Sequence, residues 1–326
     1  MSVPQVREHA PGAAMPPTTF IAGHRGLMGS ALVRLYERDA NRRLITRSRQ
    51  QLDLTDAGAV ERFFAAEKPN EVLLAAARVG GIQANRDFPV DFLLDNLRIQ
   101  NNVLSAACAH GVQKLLFLGS SCIYPREAAQ PIREESFLDG KLEPTNEPYA
   151  IAKIAGIQLA QAFRRQHGCN FIAAMPTNLY GPGDNFAPAT AHVVPALIRK
   201  FHDAKVGAEP SVTLWGTGKA RREFLHVDDC AAACMLLMER YDSRKIINIG
   251  SGTDLRIHEL ATLIARAVGY AGTIEWDASK PDGTPRKLLD VSRINALGWR
   301  PTIGLEDGVR RTYRSEERRV GKECRL

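Results

Sequence analysis

Tyr149 and Lys153 stand four residues apart in "PYAIAK", a spacing that puts both on one face of a helix. An ammonium beside a phenol stabilises the phenolate and makes the tyrosine usable as an acid or base near neutrality. Ser120 follows the apolar run "KLLFL" in "GSSCIYP" and can hydrogen-bond the same carbonyl oxygen. Tyr-x-x-x-Lys alone is common by chance. Joined to a strand-end serine and an upstream glycine loop, it specifies hydride transfer at a carbonyl or carbinol carbon. Cys122 lies two residues beyond Ser120 and can lie over the same substrate. Taken alone, it reads more readily as a small buried hydrophobe.

These groups need a scaffold that brings a strand end and a helix face together. "TTFIAG" (18–23) reads as a strand, followed by a helix from about Leu27. "RRLITRS" (42–48), "EVLLAAA" (71–77), "KLLFLGSS" and "FIAAMPTNLYGP" read as four further strands. Helical patterns lie between them, one of them capped by Thr55 or Asp56. Strands alternating with helices predict an α/β fold: a doubly wound parallel (Rossmann) sheet covered on both faces. Residues 18–180 form the expected dinucleotide domain, with re-entrant segments near 224–250. Residues 181–313 are expected to form mainly a smaller C-terminal substrate-binding domain.

Gly23, Gly26 and Gly29 in "GHRGLMGS" close the first strand and open the first helix. Glycine lets backbone amides approach a pyrophosphate, and the helix N-terminus favours an anion. The second strand ends in "ITRSRQQLDL", with Arg47 and Arg49 and no acid before Asp53. A basic residue there suits a 2′-phosphate. The expected cofactor is therefore NADP(H), with Arg25 and Arg49 as phosphate ligands and Asp53 near the adenine.

The 326 residues suffice for two domains, and 44% hydrophobic with 24% charged residues is ordinary for a globular protein. The net charge of +7 is scattered and lacks aromatic interleaving, so no nucleic-acid partner is expected. No apolar stretch approaches a membrane span, so no membrane partner is expected either. Cysteines at 108, 122, 169, 230, 234 and 324 have no metal-ligand spacing. They fit free thiols in a reducing cytoplasm, with Cys108, Cys169, Cys230 and Cys234 as packing and no metal site. Residues 1–17 read as a disordered leader without an apolar signal core. Residues 314–326, "RSEERRVGKECRL", show no evident period. The run through Cys324 resembles the translation of a sequencing-adaptor oligonucleotide, so the expected natural helix stops at about Tyr313 and the rest is a non-native tail.

The set "GHRGLMGS", "GSSCIYP", "EPTNEPYAIAKIAGI", "MPTNLYGPGDNF", "REFLHVDD" and "DASKPDGTPRKLLDV" resembles the GDP-L-fucose synthases, within the extended short-chain dehydrogenases/reductases. The resemblance runs from about Thr18 to Tyr313. It implies a 3,5-epimerase and 4-reductase acting on GDP-4-keto-6-deoxy-D-mannose, usually as a homodimer. It also implies cofactor contacts from His24, Leu27, Met28, Leu118, Gly119 and Ser121, from Pro176, Thr177, Asn178 and Leu179 around the nicotinamide, and from His192. GDP-sugar contacts are implied for Lys200, Trp215, Arg222, Asp282 and Lys287. Arg222 and Lys200 suit a diphosphate, and Trp215 could stack on a base or sugar.

In a 4-keto sugar the hydrogens at carbons 3 and 5 are both alpha to the carbonyl. Their removal gives an enolate that needs stabilising at the keto oxygen. Inversion needs a base on one face and an acid on the other, and Tyr149 cannot serve both. The resemblance places a histidine acid at His192 and, with Cys122 beside Ser120 in the same motif, implies Cys122 as the base; cysteine and histidine both titrate near enough to neutrality to exchange protons. Another nucleotide-sugar epimerase or dehydratase of the same superfamily is the alternative reading.

Overall fold

The computed structural model describes residues 16–188, 190–280 and 282–323; almost all of the expected leader lies outside them. The first half of the chain runs β1 (Thr18–Ala22), α1 (Leu27–Tyr36), β2 (Arg43–Ile45), α2 (Ala57–Glu67), β3 (Glu71–Leu74), α3 (Ile82–Asp87), α4 (Pro89–Ala109), β4 (Lys114–Leu118), α5 (Glu147–His167) and β5 (Phe171–Pro176). Local chemistry sets several of these boundaries. Asp56, not Thr55, caps α2 by accepting the Ala59 N–H at 3.0 Å. Prolines begin α4 and α5, where a missing N–H costs nothing. Gly168 ends α5 in the left-handed region at φ +69°.

The second half adds β6 (Asn178–Tyr180), α6 (Val193–Val206), β7 (Ser211–Trp215), β8 (Arg221–His226), α7 (Val227–Arg240), β9 (Ile247–Ile249), β10 (Asp254–Arg256), α8 (Ile257–Val268), β11 (Thr273–Asp277), β12 (Arg286–Lys287), α9 (Ser292–Ala296) and α10 (Leu305–Glu323). The main sheet is parallel throughout, in the order β2-β1-β3-β4-β5-β9. From β1 the chain winds one way to β2 and the other way to β3 and beyond. The sheet is therefore doubly wound, and its switch point lies between β1 and β3, where such folds bind ligands.

Alternation along the strands feeds two cores. Phe20, Val72, Leu74, Leu115 and Phe117 face α2, α4 and α5. Ile21, Leu73, Leu116 and Leu118 face α1 and α7. A third core joins α6, α8 and α10 to β7 and β8. The smaller part of the molecule carries two further sheets: β11 pairs with β7, and β8 pairs with β6, β10 and β12. One buried acid, Glu223 on β8, ties these parts together. Its Oε1 accepts the Gly252 N–H at 2.7 Å and its Oε2 the Leu289 N–H at 3.0 Å, while its carbonyl accepts from Asn178 Nδ2 at 2.8 Å.

Three expectations change. The third strand stops at Leu74, because residues 75–77 leave the sheet to line a cavity. The expected fifth strand breaks at Thr177 into β5 and β6, which join different sheets. The last helix does not stop at Tyr313 but continues to Glu323. Arg310 and Arg311 reach back one turn to Glu306 and Asp307, and arginine and glutamate have good helix propensity. Among the described residues no helix is long and apolar enough to cross a membrane.

Candidate active site

A cavity of about 1120 Å³ runs from the α1 N-terminus, across the ends of β3, β4 and β5, to the smaller sheets. At its floor the glycine loop is packed without slack. Gly23 has φ +86°, and a Cβ there would lie 2.7 Å from the Ala76 backbone. A Cβ on Gly29 would lie 2.0 Å from the Gly23 carbonyl oxygen. Backbone thus replaces side chain where a pyrophosphate must approach the helix N-terminus, so the cradle fits a dinucleotide. Gly23, Gly26, Leu27 and Met28 line the cavity. His24, Arg25 and Gly29, expected as cofactor contacts, do not line the cavity; His24 is pushed below its usual pKa by burial and then by Arg25.

The two arginines of the second-strand loop differ. Arg47 lines the cavity but is held by Glu67 and by the Thr46 carbonyl at 2.8 Å. Arg49 also lines it, with a side chain 77% exposed and a loose 3.5 Å pair to Asp53. Arg49 is therefore the freer of the two arginines. Asp53 lines the same end, its carboxyl lowered chiefly by hydrogen bonds from Thr55.

Above the floor, Leu118, Gly119, Ser120 and Ser121 come from the end of β4, and Pro176, Thr177, Asn178 and Leu179 from the β5–β6 junction. Tyr149 and Lys153 project into the cavity from the first turns of α5. The Ser120 hydroxyl faces the Tyr149 phenol, and its Oγ accepts the Cys122 N–H at 3.2 Å. Burial raises Tyr149 well above the usual phenol range, the Cys122 sulfur raises it further, and the Ser120 hydroxyl opposes both. Lys153 is 4% exposed; it donates to the Leu118 carbonyl at 2.7 Å and lies 5.9 Å from the Tyr149 ring centroid. Desolvation pulls it down to about 8. The expected ammonium–phenolate lowering is thus not present in this resting geometry. Tyr149 is instead held as a protonated donor.

Cys122 is half-buried at the same mouth. Its Sγ accepts from Asn146 Nδ2 at 3.2 Å and from Lys287 Nζ at 3.5 Å. Sequence reasoning did not single out Asn146, although it sits three residues before Tyr149 in "TNEPY". His192, at the N-terminus of α6, exposes its ring to the cavity, and its side chain does not cap the helix. The surrounding protein still lowers its pKa by desolvation.

Lys200, Trp215, Arg222 and Lys287 line the far end of the cavity. Lys200 donates to the Thr213 carbonyl at 2.6 Å, and Trp215 is 64% exposed. Burial lowers Arg222, which donates to the Asp282 carbonyl at 3.4 Å. Asp282 does not join them. Its carboxylate accepts the Thr217 N–H and hydroxyl, both at 2.7 Å, and it fastens the loop behind Arg222. Among the described residues no group of three or more His, Cys, Asp or Glu could hold a metal ion.

A doubly wound dinucleotide sheet with serine, tyrosine and lysine at its switch-point mouth defines an extended short-chain dehydrogenase/reductase. The chain belongs to the NAD dependent epimerase/dehydratase family, whose sequence model matches residues 19–250, and within it to the GDP-L-fucose synthases. It is 56% identical to GDP-L-fucose synthase 1 of Arabidopsis thaliana over 90% of this chain and 91% of that one. It is 53% identical to GDP-L-fucose synthase of Escherichia coli (strain K12), over 90% of this chain and 94% of that one. A crystal structure of a GDP-L-fucose synthetase from Naegleria fowleri bound to NADP superposes with TM-score 0.88 at 27% identity, over 94% of this chain and 96% of that one.

Proposed function

We propose that this protein converts GDP-4-keto-6-deoxy-D-mannose to GDP-L-fucose, by inversion at carbons 3 and 5 and then reduction at carbon 4. The observation that carries the proposal is the gathering of Ser120, Tyr149, Cys122 and His192 in one cavity with the glycine cradle. Ser120 and Tyr149 hydrogen-bond the keto oxygen and hold the charge of the enolate. Cys122 removes the alpha proton as a thiolate, whose charge the Asn146 amide and the Lys287 ammonium hold until the sulfur takes the proton and the charge passes to the enolate. His192 returns a proton to the opposite face. Its lowered pKa makes the imidazolium a minority form at pH 7 and a strong acid once formed.

The cradle, Arg49 and the Lys153 side chain would hold NADP(H), which when bound supplies the hydride for carbon 4. Tyr149, kept as a phenol, then protonates the oxygen at carbon 4. Arg222, Lys200 and Trp215 would hold the GDP portion. Residues 18–180 with β9 serve the cofactor, and most of 181–313 serves the sugar nucleotide.

Incubation with GDP-4-keto-6-deoxy-D-mannose and NADPH should consume one NADPH per GDP-L-fucose formed. Inversion without net NADPH loss, or reduction without inversion, would overturn this reading. We further infer a homodimer in a reducing cytoplasm. Phe88, Val90 and Leu94 at α4 and Ile151 on α5 leave apolar side chains exposed between 40% and 67%. A monomer by light scattering at micromolar concentration would count against the dimer.

A further inference from the structure

Cys108 lies in the last turn of α4, and Cys169 follows the Gly168 cap of α5. They are 61 residues apart in sequence, yet their sulfurs are 3.0 Å apart. That separation is inside van der Waals contact and about 1 Å longer than a disulfide bond. Both side chains are half-buried, so a small solute can reach them. Neither lines the cavity described above. The other close pair, Cys230 and Cys234, is one helical turn apart on α7 and fully buried.

We propose that Cys108 and Cys169 form a reversible disulfide when the protein meets a hydroperoxide. The Cys108 sulfur attacks the peroxide, the O–O bond breaks, and Cys108 becomes a sulfenic acid as an alcohol or water leaves. The Cys169 sulfur then attacks the Cys108 sulfur. The S–S bond forms, the S–O bond breaks, and the hydroxyl leaves as water with the Cys169 proton. Two thiols have lost two electrons, and the peroxide has gained them. The 3.0 Å approach leaves each sulfur within reach of a sulfenic acid formed on the other. Burial and the neighbouring Cys108 push Cys169 up to about 12, so it keeps its proton until the second step.

The bond would join the far ends of α4 and α5. Tyr149 lies near the opposite end of α5, about 30 Å away at 1.5 Å per residue. The cross-link should therefore tighten the scaffold without reaching the chemistry.

The test is to reduce the full chain, remove the reductant, add stoichiometric hydrogen peroxide and measure the intact mass with a non-reducing peptide map. The expected result is a loss of about 2 Da, a cross-link between the peptides holding Cys108 and Cys169, and reversal by thiol reductant. Cys108→Ser and Cys169→Ser should each abolish the cross-link and keep wild-type activity when reduced. A Cys122→Ser background should still form it. Oxygen addition without the cross-link, or a cross-link between other cysteines, overturns the proposal. The mass and peptide-map readouts do not depend on the enzyme's substrate.

Discussion

The charge beside Cys122 gives a prediction with a calculable size. Lys287 Nζ lies 3.5 Å from Sγ, and the pair sits at a half-buried mouth. Lys287→Met removes the charge and keeps most of the stem. Coulomb's law at that distance gives about 4.7 kcal/mol for an effective dielectric near 20 and about 1.2 kcal/mol in bulk water. Each 1.36 kcal/mol is tenfold in rate. The ammonium stabilises the thiolate before it takes the proton, and a thiolate without it is more basic, so only about half of an energy between those limits reaches the rate and proton abstraction should fall about 10-fold. The assay is deuterium wash-in from D₂O at carbons 3 and 5 of the keto substrate, followed by NMR with NADP⁺ in place of NADPH, so that no reduction intervenes. The rate is read at saturating substrate, because Lys287 also lines the cavity and its loss should raise KM. Cys122→Ser sets the floor of the measurement. An exchange rate within threefold of wild type would refute the idea that this ammonium supports charge on sulfur.

Gly23→Ala should weaken NADPH binding by roughly 10- to 100-fold. The left-handed backbone costs about 1–2 kcal/mol for an L side chain, and the new Cβ meets the Ala76 backbone at 2.7 Å. Fluorescence titration measures this, and a Kd within twofold of wild type, with unchanged circular dichroism, would contradict it. Lys153 makes stability depend on pH. Folding lowers it from 10.5 to about 8, so between those values the unfolded chain binds more protons. Stability should rise with pH across that window by something on the order of 3 kcal/mol, relative to Lys153→Met. Urea unfolding at several pH values checks this; parallel slopes for the two proteins would show that the lysine is not held uncharged.

The parts legible in the sequence were those written in short spacings. The glycine loop, the helical pair Tyr149 and Lys153, and the alternating strands each depend on neighbours within a few residues. The environment of Lys153 was not legible: its partner is the Leu118 carbonyl, supplied by another strand. Neither was the pair of donors at Cys122, which come from 24 and 165 residues away. Asp282 sits in a well-marked segment, yet its carboxylate turns to Thr217, a choice made by loop packing. The break of β5 at Thr177 depends on which sheet each half joins, and no local pattern encodes that.

Glu223 has a consequence for how the protein can move. A hinge between the main sheet and the smaller sheets would have to pull its carboxylate off the N–H groups of Gly252 and Leu289 and leave a buried acid unpaired. Bending the molecule there is expensive. A change in which sugar is accepted is then better sought at the rim of the cavity, around Phe186 and Thr284, than at this joint.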